Sequence, residues 1–251
     1  MGLRAWVQAA VNFCYPPACA HCEAPTDEPA LLCGDCDAAM RALEGEGACP
    51  LCAAPVGPGG SCPRCLGKGL RPFARVVRLA RFDDPLRELI HHVKYHKRWP
   101  LAELLADRLL EREDVKGLLS ETQRLEGRLM PVPLHRWRCI ERGYNQAELI
   151  ARRLGARCGI PCIHAAVRWK WTETQTHLHS RAKRVKNLRD AFALVDAKAV
   201  HGRHIVLVDD VMTTGATLRA LARVLLPVRP ASLCAIVLAV ADARRRHFQV
   251  V

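Results

Sequence analysis

No stretch of this 251-residue chain approaches the apolar length needed to cross a bilayer, so no membrane span is expected. Met1 to Val11 carry one arginine and only a short apolar stretch, which does not read as a secretory signal. Both shortages point to the cytoplasm, a reducing compartment where thiols persist. Aromatic residues make up 5% of the chain, and none lies between Thr172 and Ala191, where cations are dense. That weakens base stacking as a means of holding nucleic acid there. Acidic residues are also outnumbered, 25 against 38 Lys and Arg, and the net charge of +13 predicts anionic partners. The deficit is uneven: residues 1–70 hold four Lys/Arg and seven Asp/Glu, a net of −3, leaving 34 and 18, a net of +16, for residues 71–251. The polyanion-facing part is therefore the later one.

Cysteine is abundant, and nine of the 13 fall in the first 65 residues. Eight of them form four Cys-x-x-Cys pairs, Cys19/Cys22, Cys33/Cys36, Cys49/Cys52 and Cys62/Cys65. A two-residue gap lets both thiolates face one ion, and two pairs supply the four tetrahedral ligands of a structural Zn²⁺ site. Two zinc ions are expected, with Gly34, Pro50, Pro63 and Gly67 suiting the tight turns between ligands. A secreted disulfide framework and a thioredoxin-like redox motif are the rivals, and neither suits four such pairs in a reducing compartment. Spacing alone leaves cross-braced and consecutive pairing open; consecutive pairing, as in two stacked ribbons, is preferred. Cys14, Cys139, Cys158, Cys162 and Cys234 read as small core hydrophobes.

Residues 206–217 carry the chemistry. Ile205 to Val208 form an unbroken apolar run suited to a strand buried on both faces, ending in Asp209 and Asp210. Ligands of open α/β sheets bind beyond such strand ends. Thr213, Thr214, Gly215, Ala216 and Thr217 are small enough for backbone N–H groups to close around a phosphate, and they open a helix whose dipole favours negative charge. Leu218, Leu221, Ala222 and Leu225 set that helix's buried face. Adjacent carboxylates can accept two vicinal hydroxyls of a ribose, or hold Mg²⁺ directly or through water. An ordinary strand-to-helix junction capped by threonine is the bland alternative, but twelve consecutive fitting positions argue against coincidence. The segment resembles the phosphoribosyl pyrophosphate (PRPP) motif of type I phosphoribosyltransferases. By that resemblance Asp209 and Asp210 hold the ribose hydroxyls and are the catalytic candidates. Val211, Met212, Thr213, Thr214, Gly215, Ala216 and Thr217 make the PRPP-binding run, with Thr213 to Thr217 on the 5′-phosphate.

Elsewhere, Leu3, Trp6, Val7, Ala10 and Val11 space as a short amphipathic helix. Gly67 to Pro72 reads as the exit from the cysteine module, which divides the chain into residues 1–70 and 71–251. Val76 to Phe82 suggests a strand, and Asp84-Pro85 the cap and first turn of a helix buried through Leu86, Leu89, Ile90 and Val93. His91, His92, Lys94 and His96 read mainly as its solvated face, with phosphate contact as the minor reading. Leu101 to Leu110 is a helix, and Glu111 to Glu126 looks polar and loop-prone. Leu129 to Pro133 is a short strand; Leu134, His135, Arg136 and Arg138 follow in a tight loop with cations that suits a diphosphate. Asn145 is placed as the cap of a helix buried through Ala147, Ile150, Ala151 and Leu154, and Ile163 to Val167 reads as a strand. Five cations between Arg181 and Arg189 suggest a basic lid that excludes water from a bound ester; a merely solvated basic segment is the rival. Leu233 to Val240 suits a central parallel strand, and Arg244 to His247 a solvated tail.

In order, the four Cys-x-x-Cys pairs, Pro131-Val132-Pro133-Leu134, Arg142-Gly143-Tyr144-Asn145-Gln146-Ala147-Glu148, the set Thr172, Gln175, Leu178, Arg184, Asn187 and Ala191-Phe192, and the PRPP segment span nearly the whole chain. Together they resemble the ComF family of competence proteins, relatives of GntX. Tyr144 stands where that family usually has Phe, and Pro230-Ala231 where it often has Gly-Ala. The resemblance implies an α/β fold, a type I phosphoribosyltransferase-like parallel sheet flanked by helices, preceded by a small double zinc ribbon. It adds Arg142, Gln175 and Arg184 to the pyrophosphate and lid candidates, beside Arg181 of the basic segment, and implies a role in DNA uptake or use. The leading expectation is a domain binding PRPP, or another phosphorylated ribose, with Mg²⁺ and displacing pyrophosphate at ribose C1. The rival from another class is a non-enzymatic binder of single-stranded DNA whose zinc ribbons recruit competence-machinery proteins. A third reading makes the ribbons a purely structural cap.

Overall fold

The computed structural model describes residues 6, 17–27, 30–57, 62–170 and 190–241. The expected N-terminal helix apart from Trp6, Cys14, the basic lid with Gln175, Arg181 and Arg184, and the Arg244 to His247 tail lie outside the described residues. In chain order the elements are α1 (Gly34–Glu44), β1 (Arg75–Arg81), α2 (Leu86–Tyr95), α3 (Pro100–Glu111), α4 (Glu113–Arg124), β2 (Arg128–Pro131), α5 (Arg136–Arg142), α6 (Gln146–Cys158), β3 (Ala166–Arg168), β4 (Phe192–Leu194), β5 (His204–Met212), α7 (Ala216–Leu225) and β6 (Ser232–Val240).

β1, β6, β5 and β2 form one parallel sheet in that order, with Val208 opposite Ile236 and Pro131 opposite Val208. The apolar runs Ile205 to Val208 and Leu233 to Val240 thus take the two central places, where both faces must be dry. Val206, Val208, Ile236 and Leu238 face one core with α2, α3, α4 and α6. Ile205, Leu207, Ala235 and Val237 face a second core closed by α7, by the antiparallel pair β3 and β4, and by Cys49, Cys52, Cys62, Leu70 and Phe73.

Three expectations are corrected. Glu111 to Glu126 is not a loop but mostly α4: Val115, Leu118, Leu119 and Thr122 recur at helical spacing and are buried, enough of a stripe to dock an otherwise polar segment. Regular strand pairing in the Ile163 to Val167 region starts only at Ala166, Cys162 making a single bridge to Leu129. Arg136 and Arg138 stand on a short helix, not in a loop, and His135 caps it, its Nδ1 accepting from the Trp137 N–H at 3.3 Å. At α2 the detail also differs: Asp84 gives its carboxylate to Arg87 at 2.6 Å rather than to the helix N-terminus.

The first cysteine module lies on the helical side, with Cys36, Met40 and Leu43 of α1 in the same core as Leu101 and Leu105 of α3. Charge seals this contact. Arg108, 4% exposed, pairs with Asp37 and has Glu44 and Glu111 at 3.6 and 3.7 Å, while Arg112 donates to the Glu44 carbonyl. Arg108→Ala leaves these carboxylates around an emptied site and is expected to cost about 3 kcal/mol, read as a lowered urea midpoint with zinc content held constant; an unchanged midpoint contradicts this account.

Candidate functional site

β5 delivers Asp209 and Asp210 to the carboxyl end of the sheet, and strand alternation sends them to opposite faces. Asp210, 6% exposed, follows Val206 and Val208 to the helical side. There Lys94 Nζ, near the end of α2, lies 3.1 Å from its Oδ2, and Gln146 Nε2, at the start of α6, donates to the same oxygen at 2.5 Å. Oδ1 accepts the Val211 N–H at 2.5 Å. Burial works against this charge, but the Lys94 ammonium and the Gln146 hydrogen bond outweigh it and hold the carboxyl below its ordinary range. Asp209 has no such company. Its Oδ1 accepts the Asp210 N–H at 2.9 Å, and burial, followed by the neighbouring Asp210 charge, pushes it up to about 7.

The Gly143 to Gln146 turn explains how Gln146 arrives there. Gly143, at φ 83°, ends α5 in the left-handed region that glycine adopts without strain. Tyr144 donates its hydroxyl to the Val93 carbonyl at 2.5 Å, tying the turn to α2. Asn145 caps α6 by accepting the Ala147 N–H at 3.1 Å and donates to the Val132 carbonyl at 3.0 Å. Each residue of the motif thus fixes one neighbour, and the sum aims α6 at Asp210.

Cations surround the acidic pair. Arg142 is buried, its guanidinium 5.0 Å from the Tyr95 ring centroid. Burial and then the Arg142 charge lower Arg138, and burial and then the Arg138 charge bring Arg168 of β3 down to about 10 against the pull of Asp209. Of the residues expected at a diphosphate, Arg138 and Arg142 are thus within electrostatic reach of each other and of this end of the sheet. Arg136 is exposed beside Trp137, at 5.5 Å from its ring centroid; His135 is buried as a helix cap, and Leu134 is half-buried.

Beyond Met212 the chain turns through Thr213 to Gly215, the last at φ 74°, into α7. Thr213 offers its carbonyl to Arg64 and Thr214 its carbonyl to Arg219 Nη1 and Nη2 at 3.2 and 3.1 Å. In a trans peptide the N–H points opposite to the C=O, so the N–H groups of Thr214 and Gly215 are directed away from those guanidiniums. That is the arrangement an anion at the helix N-terminus requires.

The cysteines group as consecutive pairs: Cys19, Cys22, Cys33 and Cys36 in one cluster, Cys49, Cys52, Cys62 and Cys65 in the other. Three sulfur pairs are separated by 3.6 Å (Cys22 to Cys33), 3.7 Å (Cys49 to Cys65) and 3.6 Å (Cys52 to Cys62). A Zn–S bond of 2.3 Å sets a tetrahedral edge of about 3.8 Å, so both clusters fit structural zinc. Mg²⁺ prefers oxygen ligands, which Asp209 and Asp210 offer.

Sequence reasoning gave Lys94 only a minor reading as a phosphate contact, not a place beside Asp210, and missed Arg168 and Arg64. Only Lys94 left a signal: it stands four residues after Ile90, beside the buried stripe of α2 rather than opposite it. No helix among the described residues is long and apolar enough to cross a membrane.

Comparison with known proteins agrees with these parts. Residues 10–66 match the double zinc ribbon family and residues 139–249 the phosphoribosyl transferase domain family. The chain is 36% identical over 199 residues to the DNA utilization protein YhgH of Escherichia coli K12, covering 78% of this chain and 84% of that one. It is 34% identical over 166 residues to competence protein F of Haemophilus influenzae, covering 65% and 71%. To competence protein ComFC of Bacillus subtilis it is 27% identical over 205 residues, 78% of each chain.

The acidic pair has a cost in the free protein. Asp209 rises from 3.8 to about 7 on folding, so it contributes stability below about pH 4 that is lost as pH climbs to about 7. Asp209→Asn should therefore be more stable than the parent without ligand at pH 8, the gap closing on going down to pH 5; thermal midpoints measured across that range check this, and a constant gap refutes it.

Proposed function

Because the chain belongs to the ComF family, in which a double zinc ribbon accompanies a phosphoribosyltransferase domain, we propose that it binds PRPP with Mg²⁺ at the end of β5. The single observation carrying this is the junction itself: two carboxylates of unlike environment, followed by a loop whose carbonyls are held outward and whose N–H groups face the other way. Asp210 is pre-set as an anion that accepts one ribose hydroxyl. Asp209 accepts the second and ionises fully only when ligand cations arrive, since their charge favours the carboxylate. Thr213 to Thr217 hold the 5′-phosphate. Mg²⁺, when bound, neutralises the diphosphate as it leaves C1. Arg138, Arg142 and Arg168 supply fixed positive charge toward the same group without reorganising. Lys94 has a double role in this reading: it keeps Asp210 charged in the free protein and adds to the cationic rim when a polyanion enters. Two structural zinc ions complete the folded protein.

Titration calorimetry with PRPP and Mg²⁺ tests the proposal. Zinc-replete protein should bind, and Asp209→Asn/Asp210→Asn should lower the affinity by about tenfold or more, the loss of at least one charge-assisted hydrogen bond. Absence of heat with the parent protein, or unchanged affinity in the double variant, removes the site assignment. Lys94→Ala should weaken binding more at pH 6 than at pH 8, because Asp210 then loses the charge that keeps it ionised.

A second reading, binding of single-stranded DNA without turnover, is favoured by one specific feature. Trp137 and Tyr95 are 55% and 45% exposed and lie beside Arg136 and Arg142, so aromatic faces and cations interleave outside the basic segment where the sequence lacks them. An oligothymidylate whose affinity falls steeply with salt and drops in Trp137→Ala/Tyr95→Ala, while Asp209→Asn/Asp210→Asn leaves it intact, would separate this activity from PRPP binding.

A further inference from the structure

We propose that the second zinc ribbon is a built-in half of the phosphate loop, with Arg64 and Leu70 as positioning residues, and that zinc at Cys49, Cys52, Cys62 and Cys65 is thereby linked to phosphate-ester binding. This rests on the reading of Thr213 to Thr217 as a phosphate loop. Arg64 lies between two ligands of one metal site, in the turn Cys62-Pro63-Arg64-Cys65, and its guanidinium donates to the Thr213 carbonyl. The turn is short and braced, Leu66 N–H to Cys62 O at 3.0 Å and Lys68 N–H to Cys65 O at 2.8 Å, so the four-sulfur cluster sets where Arg64 starts.

Leu70 makes the second contact. It is buried, and a Cβ added to Gly215 would meet its Cδ1 at 2.7 Å, so Leu70 rests on the bare Cα of the residue that caps α7. Behind this contact Cys49, Cys52, Cys62, Leu70 and Phe73 share one core with Met212 and Leu218 on either side of the loop. The loop itself holds no bulky side chain, so its curvature is imposed from outside. Cys19 and Cys36 of the other metal site belong to the other core, with α2 and α3. The two ribbons therefore do different work: one docks, the other shapes a binding surface.

Linkage between two sites is reciprocal. If zinc shapes the loop, an occupied loop retains zinc, and only at the second site. The test uses the full chain loaded with two zinc ions, with release to an excess of chromophoric chelator followed with and without saturating PRPP and Mg²⁺. One of two release phases should slow by about fivefold or more, and that phase should be the one absent from Cys65→Ser. Arg64→Ala should abolish the slowing and weaken PRPP by about tenfold while keeping two zinc ions, with Arg64→Lys recovering part of both. If PRPP binds the parent protein but both phases are unmoved, the proposal falls and the loop assignment stands. If PRPP does not bind the parent at all, both fall. Should Arg64→Ala lose zinc by itself, the parent's release rates decide alone.

Discussion

A carboxylate placed at the dry end of a central strand has to be compensated, and the arrangement around Asp210 is the compensation. Lys94 comes from α2, Gln146 from α6 and the Val211 N–H from the strand itself, so three separate elements converge on one side chain. Their positions are then not independent. Tyr144 locks the turn before α6 to the backbone of α2, and Asn145 locks it to the end of β2. Remove the charge, and one of the ties that bring α2 and α6 to this height of the sheet goes with it. Asp209, one residue earlier and on the opposite face, is left with repulsion and burial and little relief. One carboxylate already ionised and another held in reserve would suit the polyanion and cations proposed for this site.

Much of this was legible in the chain. The apolar runs Ile205 to Val208 and Leu233 to Val240 identified the two central strands because only doubly buried strands dispense with alternation. The Cys-x-x-Cys pairs announce two four-sulfur sites, but spacing leaves the pairing open and only the structure groups consecutive pairs. The helix after Gly215 showed its buried face directly. What stayed hidden depends on partners far away in sequence. Lys94 looks solvated until Asp210 is brought beside it, and Arg64 is an ordinary exposed cation until the loop 149 residues later presents a carbonyl. α4 was misjudged for a different reason: four modest apolar positions among charges are a weak stripe, sufficient only because β1, β5 and α3 offer matching surfaces.

The uneven charge of the chain also acquires a structural meaning. The acidic first segment does not simply balance a basic domain. Asp37, Glu44 and Glu111 enclose Arg108, and the close approach of Glu44 and Glu111 has its own strain: burial, then Glu111, raise the Glu44 carboxyl to about 7. Arg78, 1% exposed in β1, gives one N–H to the Gly47 carbonyl between the two metal sites, so the basic half of the molecule reaches into the linker as well. Attraction between the halves is thus spent at defined contacts, and the exposed excess of cations is left for other anions.

The seat of Leu70 on Gly215 bears on how this protein can be cut. Trimming a metal-binding module from an α/β domain is a common step toward a smaller, better-behaved fragment. Here a chain begun at residue 71 would lift the ceiling from Gly215, wet the faces of Met212 and Leu218, and leave the turn into α7 free to sample shapes it never visits in the whole molecule. Such a fragment could keep its sheet and both aspartates and still be the wrong object in which to look for a ligand.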